Sequence, residues 1–200
     1  MKKTILIFIL ASLSISTLIA QHDIRINVGG ALAKNYGFTY EYIISDLFAA
    51  GLAFNSSFGG TIVEQKYSIS KNVEISEYSF MPEVKQYAKY RNGGDGLFVG
   101  AYLIYTKADL KGLNVYDNIT RKEVPYDMTI NSMGVGILEG IKYITDYDVF
   151  IEATGGIGYM IIKKPKYSED NIKGLISNDK ENNHVPNWDF RIQLNIGYRF

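Results

Sequence analysis

The chain contains no cysteine, only two histidines, four prolines and one tryptophan. Without cysteine it forms no disulfides and has no thiolate to offer a metal or a substrate. Lysine plus arginine and aspartate plus glutamate are balanced at 21 each. A chain without a basic excess lacks the electrostatic footprint of nucleic-acid binding. We therefore expect neither a disulfide-stapled fold nor a nucleic-acid partner.

Long apolar runs are also missing, except at the N-terminus. Residues 1–20 begin with Lys2 and Lys3, continue with an apolar stretch and end at Ala20, before a polar Gln21. This order is typical of a cleaved secretory signal peptide, although the segment could instead be a single membrane anchor. We expect export, cleavage after residue 20 and one mature domain, residues 21–200. No later stretch approaches the roughly 18 consecutive apolar residues of a spanning helix, so any membrane insertion must be made by strands.

The last stretch of the chain carries the clearest pattern, because apolar and polar residues alternate from Phe190 to Phe200. Side chains of a strand point alternately to two faces, so one face is apolar and the other bears Arg191, Arg199 and two amides. The same period recurs in six earlier stretches, with no helical period between them. A seventh stretch, residues 97–106, is apolar on both faces, and we expect every second residue from Leu97 to Tyr105 to face outward. The eight predicted strands cover residues 24–32, 38–44, 48–55, 77–88, 97–106, 130–144, 149–161 and 190–200.

The lengths of the connections indicate how these strands are arranged. Eight successive strands predict an antiparallel meander. The connections at residues 58–76, 109–129 and 163–187 are long and polar, whereas those at 45–47 and 145–148 are tight turns. The connection at Lys34–Gly37 is the one exception, because it is short although it falls at the end of the long connections. Alternate connections of a meander lie at the same end, and an end with long loops opposite an end with turns is typical of outer-membrane barrels. The predicted fold class is all-β, an eight-stranded antiparallel up-and-down transmembrane β-barrel.

The charged residues on the polar faces support a membrane barrel over a soluble one. In a soluble barrel the aromatic and aliphatic face would have to fill the narrow interior of eight strands. Charges of both signs instead suit a narrow polar lumen in which they pair. A soluble periplasmic β-barrel that serves as a binding module is the alternative. The predicted lumen charge network consists of Arg25, Glu41, Glu83, Lys85, Glu152, Arg191 and Arg199.

Two residues fit this pattern poorly. Pro82 lies inside the fourth predicted strand and has no amide hydrogen, so we expect a local irregularity there. Glu139 shares the phase of the apolar residues of the sixth strand, which conflicts with a lipid-facing position. A bulge or a position near the lipid headgroups would reconcile it.

Three short stretches resemble known proteins. The alternation that ends in a terminal phenylalanine resembles the C-terminal signature of bacterial outer-membrane barrels. Residues 80–87 (FMPEVKQY) and 96–102 (GLFVGAY) resemble the small OmpA-like or OmpX-like eight-stranded barrels of unassigned function. The resemblance implies a bacterial outer-membrane location, contact with outer-membrane lipid, and recognition of the last strand by the outer-membrane assembly machinery. We expect a monomer. The signature residues are Ile192, Leu194, Ile196, Tyr198 and Phe200.

Patterns that carry chemistry are weak. His22 lies at the expected mature terminus, and His184 has no nucleophile pattern beside it of the kind a catalytic triad needs. The glycines of 134–136 and 155–158 fall within strands and match neither phosphate-binding fingerprint, so we interpret them as space for large inward neighbours or as points where the barrel bends sharply. The acidic runs at 169–171 and 179–182 lack the spacing of a calcium loop.

These observations predict a protein that is not an enzyme and has no cofactor or metal. Its exposed loops would serve envelope integrity, adhesion or ligand contact. A barrel enzyme that modifies lipid, or a narrow channel, is the alternative.

Overall fold

The computed structural model describes residues 21–32, 34–58, 73–88, 94–117, 122–167 and 187–200. Each strand pairs antiparallel with the next in sequence, and the last pairs with the first, so the sheet closes into a barrel. The predicted eight-stranded up-and-down barrel is confirmed. The strands are β1 (Gln21–Asn27), β2 (Asn35–Ser45), β3 (Phe48–Phe58), β4 (Glu74–Tyr87), β5 (Gly96–Asp117), β6 (Lys122–Ile144), β7 (Val149–Tyr167) and β8 (Trp188–Arg199).

The barrel closes along a short seam between β1 and β8. The backbones of His22 and Phe200 exchange hydrogen bonds of 3.0 and 2.9 Å at the end of this seam. The first strand is shorter than predicted, because Val28–Ala31 forms a single helical turn, α1, instead of continuing as a strand to Leu32. The Asn27 side chain caps that turn by accepting a hydrogen bond of 2.8 Å from the Gly30 amide.

The strands extend further at one end of the barrel than at the other. One end of the barrel holds the start of β1, the end of β8 and the connections β2–β3, β4–β5 and β6–β7. We call this end the turn end and the opposite end the loop end. At the loop end β5 and β6 run on as a paired hairpin to Asp117 and Lys122. They contain 22 and 23 residues, about twice the roughly 10 residues with which a tilted strand crosses a membrane.

This hairpin corrects the expectation of a polar loop over residues 109–129. Within the described residues, pairing continues from Asp109 to Asp117 and from Lys122 to Thr129, with one register shift between Leu110 and Leu113. Gly112 adopts a φ of +78° there, a conformation in which glycine is not strained. Pro125 also stays within the ladder, paired with Asn114. Likewise, β7 continues to Tyr167, beyond the predicted end at residue 161.

The wall of the barrel is apolar outside and polar inside near the turn end. The outward set predicted for the fifth strand is confirmed: Leu97, Val99 and Leu103 are 58–61% exposed, whereas Tyr102 is buried. At Pro82 the ladder to β3 continues, and the ladder to β5 is interrupted without a change of register. Among the residues described, no helix is long and apolar enough to cross a membrane.

Beyond the closed barrel, β4–β7 project at the loop end as an extension of the sheet. There β7 no longer pairs with β8, since that pairing reaches only Tyr159 and Trp188. The inward face of the extension is apolar and forms a hydrophobic core of its own, separate from the core around Tyr102 lower in the barrel. This extension core consists of Ile75, Ala108, Leu110, Leu113, Tyr126, Met128 and Ile130.

Candidate functional site: a charge plug in the lumen

Eight charged side chains meet inside the barrel near the turn end. Each projects inward from its strand, and none is more than 4% exposed. Four are cations and four are carboxylates, so their formal charges cancel. We call this group the charge plug; it consists of Arg25, Lys85, Lys142 and Arg199 with Asp23, Glu41, Glu83 and Glu152.

Arg25 on β1 contacts three of the carboxylates. Its Nη1 donates a hydrogen bond of 2.8 Å to Glu41 Oε2, and its Nη2 donates to Glu83. Glu152 Oε2 lies 3.4 Å from Nη1. A guanidinium suits this position because it presents five N–H donors in a fixed plane and is always charged.

The two lysines bridge the same carboxylates from other strands. Lys85 Nζ lies 2.7 Å from Glu41 Oε2 and 2.8 Å from Glu152 Oε2. Lys142 Nζ lies 2.9 Å from Asp23 Oδ2 and also pairs with Glu41. Glu41 therefore contacts three cations, and no plug carboxylate lies far from a positive charge.

Aromatic and polar side chains fill the remaining space around the plug. The Phe98 ring lies 4.3 Å from Lys85 Nζ, and the Phe150 ring lies 4.9 Å from Lys142 Nζ, both within the range of cation–π attraction. The Tyr87 hydroxyl donates a hydrogen bond of 3.0 Å to Glu41. The lumen is therefore packed at this level.

Arg199 connects the plug to the seam of the barrel. Its Nε and Nη2 donate bonds of 2.7 and 2.8 Å to the two carboxylate oxygens of Asp23. Such a two-pronged pair fixes orientation as well as distance. Because Asp23 lies on β1 and Arg199 on β8, this contact joins the first and last strands from the inside.

A second, smaller group lies further along the lumen toward the loop end. Tyr102 donates a hydrogen bond of 2.8 Å to Asp189, and Arg191 Nε pairs with the same carboxylate at 2.5 Å. Gly136 and Gly158 line the Tyr102 ring so closely that a Cβ at either position would collide with it. These two glycines make room for a large neighbour, as the sequence predicted.

The structure brings together most of the residues predicted for the lumen. Arg25, Glu41, Glu83, Lys85 and Glu152 share one network and Arg199 joins it through Asp23, whereas Arg191 belongs to the second group.

Three further members, Asp23, Lys142 and Asp189, were missed. A signal for Lys142 existed, since the outward phase of Ile141 and Tyr143 already places it inside.

The terminal signature residues lie on the opposite face of the wall. Ile192, Leu194, Ile196, Tyr198 and Phe200 all point outward, and each is at least 44% exposed. Their recognition by an assembly machinery stays a prediction.

The remaining candidates for chemistry are few. The His22 ring lies on the outer wall, with Nδ1 2.6 Å from the Tyr40 hydroxyl and the ring stacked on Phe200 at 5.5 Å. His184, the acidic runs at 169–171 and 179–182 and the expected signal peptide lie outside the described residues. Within the described ranges, no group of three or more histidine, aspartate or glutamate side chains could hold a metal ion.

The model of a family described as "Protein of unknown function (DUF3575)" matches residues 5–200. The fold is similar to that of a major outer membrane protein from Thermus thermophilus, with a TM-score of 0.53 and 16% identity over 90% of this chain and 99% of that chain.

Two more distant structures are Neisserial surface protein A and Ail, the attachment invasion locus protein of Yersinia pestis. Their TM-scores are 0.47 and 0.40, at 16% and 11% identity, over 90% of this chain and 94% and 95% of theirs. The comparison with curated proteins gave no match.

Proposed function

Since the chain belongs to the DUF3575 family of proteins of unknown function and has the fold of a small outer-membrane β-barrel, we propose that it is a non-enzymatic, non-conducting membrane anchor. In this role the barrel holds the β-extension rigidly outside the membrane, where it makes contacts at the cell surface. The turn end faces the periplasm and the loop end faces outward, the usual orientation of such barrels.

The extension is the observation that carries the proposal. Strands that only crossed the membrane would end after about 10 residues, but β5 and β6 continue for twice that length. Leu110 and Ala108 in the extension core are fully buried. Folded structure outside the membrane contributes nothing to insertion, so we infer that it serves contact with something outside the cell.

The aromatic residues of the outer wall support the placement in the membrane. Tyr105 and Tyr159 lie outward near the loop end, and Tyr143 and Tyr198 lie outward near the turn end. Tyrosine is enriched at membrane–water interfaces, because its ring is apolar and its hydroxyl stays hydrated. The apolar belt lies between these two levels.

The charge plug argues against the channel alternative. An ion crossing the barrel would have to pass side chains that are packed, paired and almost completely shielded from solvent. Separating a buried ion pair costs several kcal/mol, because the surroundings cannot solvate the freed charges. The plug is therefore better suited to holding the strands together than to conduction.

Surface labelling tests the orientation. The chain has no cysteine, so single cysteines can be placed at Lys164 in the extension and at Tyr147 in a turn, both of which are exposed. We expect a membrane-impermeant maleimide to label Lys164→Cys on intact cells, and Tyr147→Cys only after the membrane is permeabilised. The reverse pattern would refute the proposed orientation.

Shortening the hairpin tests the role of the extension. Replacing residues 108–130 by a short turn removes most of the extension core and leaves the closed barrel. We expect heat-modifiable gel migration, the mark of a folded barrel, to persist, while adherence of the expressing cells to protein-coated and bare surfaces falls to that of cells without the protein. Full adherence of the shortened variant would refute the proposal.

A further inference from the structure

One carboxylate lies on the apolar outer wall. Glu139 on β6 is exposed, and both ladders of β6 run without a register shift from Gly134 to Lys142, so no bulge turns it inward. The outward tyrosine of this strand at the turn end, Tyr143, is four residues away, which corresponds to about 10 Å along the membrane normal for a tilted strand. Glu139 therefore lies within the hydrocarbon layer and not at the headgroups.

Nothing described in the protein satisfies this carboxylate. Among the described residues, none forms a hydrogen bond or an ion pair with the Glu139 side chain. Its outward neighbours on the same strand are Ile137 and Ile141, which are 65% and 50% exposed. Ionisable groups that face lipid are costly, and inside a membrane they usually mark a site with a partner.

Glu139 lies in a groove on the outer wall with a volume of about 730 Å³. The groove crosses β4 to β7, and its lining includes Ala101 and Gly155. At Gly155 the space outside the backbone is open, since a Cβ added there would meet nothing within 4 Å. Small residues let two membrane-embedded surfaces approach closely, which is how transmembrane segments associate without a hydrophobic driving force.

A hydrogen-bond donor lies close to Glu139 on the same wall. Val99 pairs with Gln86 on β4 and with Glu139 on β6, so the amide and the carboxylate flank Val99 one strand away on either side, each at about 5 Å. Gln86 is exposed on the outer wall and lines the same groove. A half-turn about an axis beside Val99 exchanges the positions of donor and acceptor.

We propose that this groove binds a second copy of the chain in a two-fold contact, in which Gln86 of each copy donates a hydrogen bond to Glu139 of the other. A two-fold interface requires one patch that complements itself, and a donor and an acceptor flanking Val99 meet that requirement. The tilt of the strands leaves the two side chains about 6 Å apart in height, which two extended side chains can span.

Lipid is a poorer occupant than a second copy. Acyl chains offer no donor, so a lipid-filled groove would leave both Glu139 and Gln86 unsatisfied in hydrocarbon. The sequence predicts a monomer. The position of Glu139 provides the reason to revise it.

Cross-linking in native membranes tests the contact. We expect Val99→Cys, next to the proposed axis, to form disulfide-linked dimers on mild oxidation. The matched control is Phe38→Cys, which is outward on β2 and also well exposed, and it should form few. Cross-linking of Val99→Cys no greater than that of Phe38→Cys, the result expected of a lipid-filled groove, would overturn the proposal. So would a Val99→Cys adduct whose mass is not twice that of the chain.

Changing the polar pair tests the chemistry of the contact. Glu139→Leu and Gln86→Leu should each lower the dimerisation constant about tenfold in detergent, the effect of losing two hydrogen bonds of the strength found within membranes. Glu139→Gln should stay close to the wild type, because its amide still accepts a hydrogen bond. Sedimentation equilibrium measures the constant, and heat-modifiable migration checks that each variant is folded. An unchanged constant for folded Glu139→Leu would overturn the proposal.

Discussion

Replacing Lys142 by methionine removes one cation from the charge plug with little change in side-chain volume. Lys142 Nζ lies 2.9 Å from Asp23 Oδ2, contacts Glu41 and lies 3.7 Å from Glu152 Oε2. The side chain is fully buried, so water cannot solvate the carboxylates that lose their partner. The variant would leave three cations and four carboxylates in the plug.

The loss in free energy of unfolding depends on which ion pairs the carboxylates keep. Removing one partner of a buried pair costs about 3–5 kcal/mol. Asp23 keeps its two bonds to Arg199, and Glu41 keeps Arg25 and Lys85, so we expect a loss of about 3 kcal/mol, the lower limit of that range. Adding Glu41→Gln to the same chain removes the surplus negative charge and should restore about half of the loss.

Urea unfolding in lipid vesicles measures these free energies. The only tryptophan, Trp188, packs against Tyr159 with ring centres 5.2 Å apart, so its fluorescence reports the loss of the barrel wall. The control is Ile141→Met on the lipid-facing side of the same strand, for which we expect a change within about 0.5 kcal/mol. The reasoning is refuted if Lys142→Met is as stable as the control, or if the double variant is less stable than the single one.

Three further predictions concern packing and protonation. Gly158→Ala should destabilise the barrel by about 1–3 kcal/mol in the same unfolding assay, because the new Cβ would lie 2.6 Å from the Tyr102 hydroxyl, whereas Gly155→Ala has open space and should change little. Leu110→Ala opens a cavity in the extension core and should lower its stability by about 2–5 kcal/mol. Hydrogen exchange should then speed up more in residues 105–117 than in the closed barrel, and an equal change in both would contradict a separate core. Burial raises the pKa of the Tyr126 phenol, so its contribution to the extension is complete below the ordinary tyrosine pKa and is lost as the pH rises through the folded-state pKa. Protection of the extension, measured as its exchange relative to the intrinsic base-catalysed rate at each pH, should therefore fall at alkaline pH in the wild type and fall less in Tyr126→Phe.

The barrel could be predicted from the sequence because its signal is local. Alternation of apolar and polar residues along a strand fixes which face each side chain occupies, and it placed Ile192 outside and Arg25 inside. The extension was missed because Lys111-Gly112 and Val124-Pro125 are typical chain breakers. In the structure Gly112 lies in a bulge, and Pro125 stays in the ladder opposite Asn114.

The depth of a side chain in the lumen could not be predicted in the same way. Period two gives the face, but the height along the barrel depends on the register between strands, which is a property of the closed sheet. Arg191 and Arg199 share one face of β8, yet they belong to different groups. Lys142 and Asp23 are 119 residues apart in sequence, so no local pattern connects them.

Ion conductance is the most direct measurement of whether the charge plug closes the lumen. Folded protein, identified by its heat-modifiable migration, would be inserted into planar lipid bilayers under an applied voltage. Because the paired side chains fill the barrel at the level of Arg25 and Lys142, we expect insertion without stepwise current. Reproducible conductance steps from the wild-type protein would contradict a closed lumen.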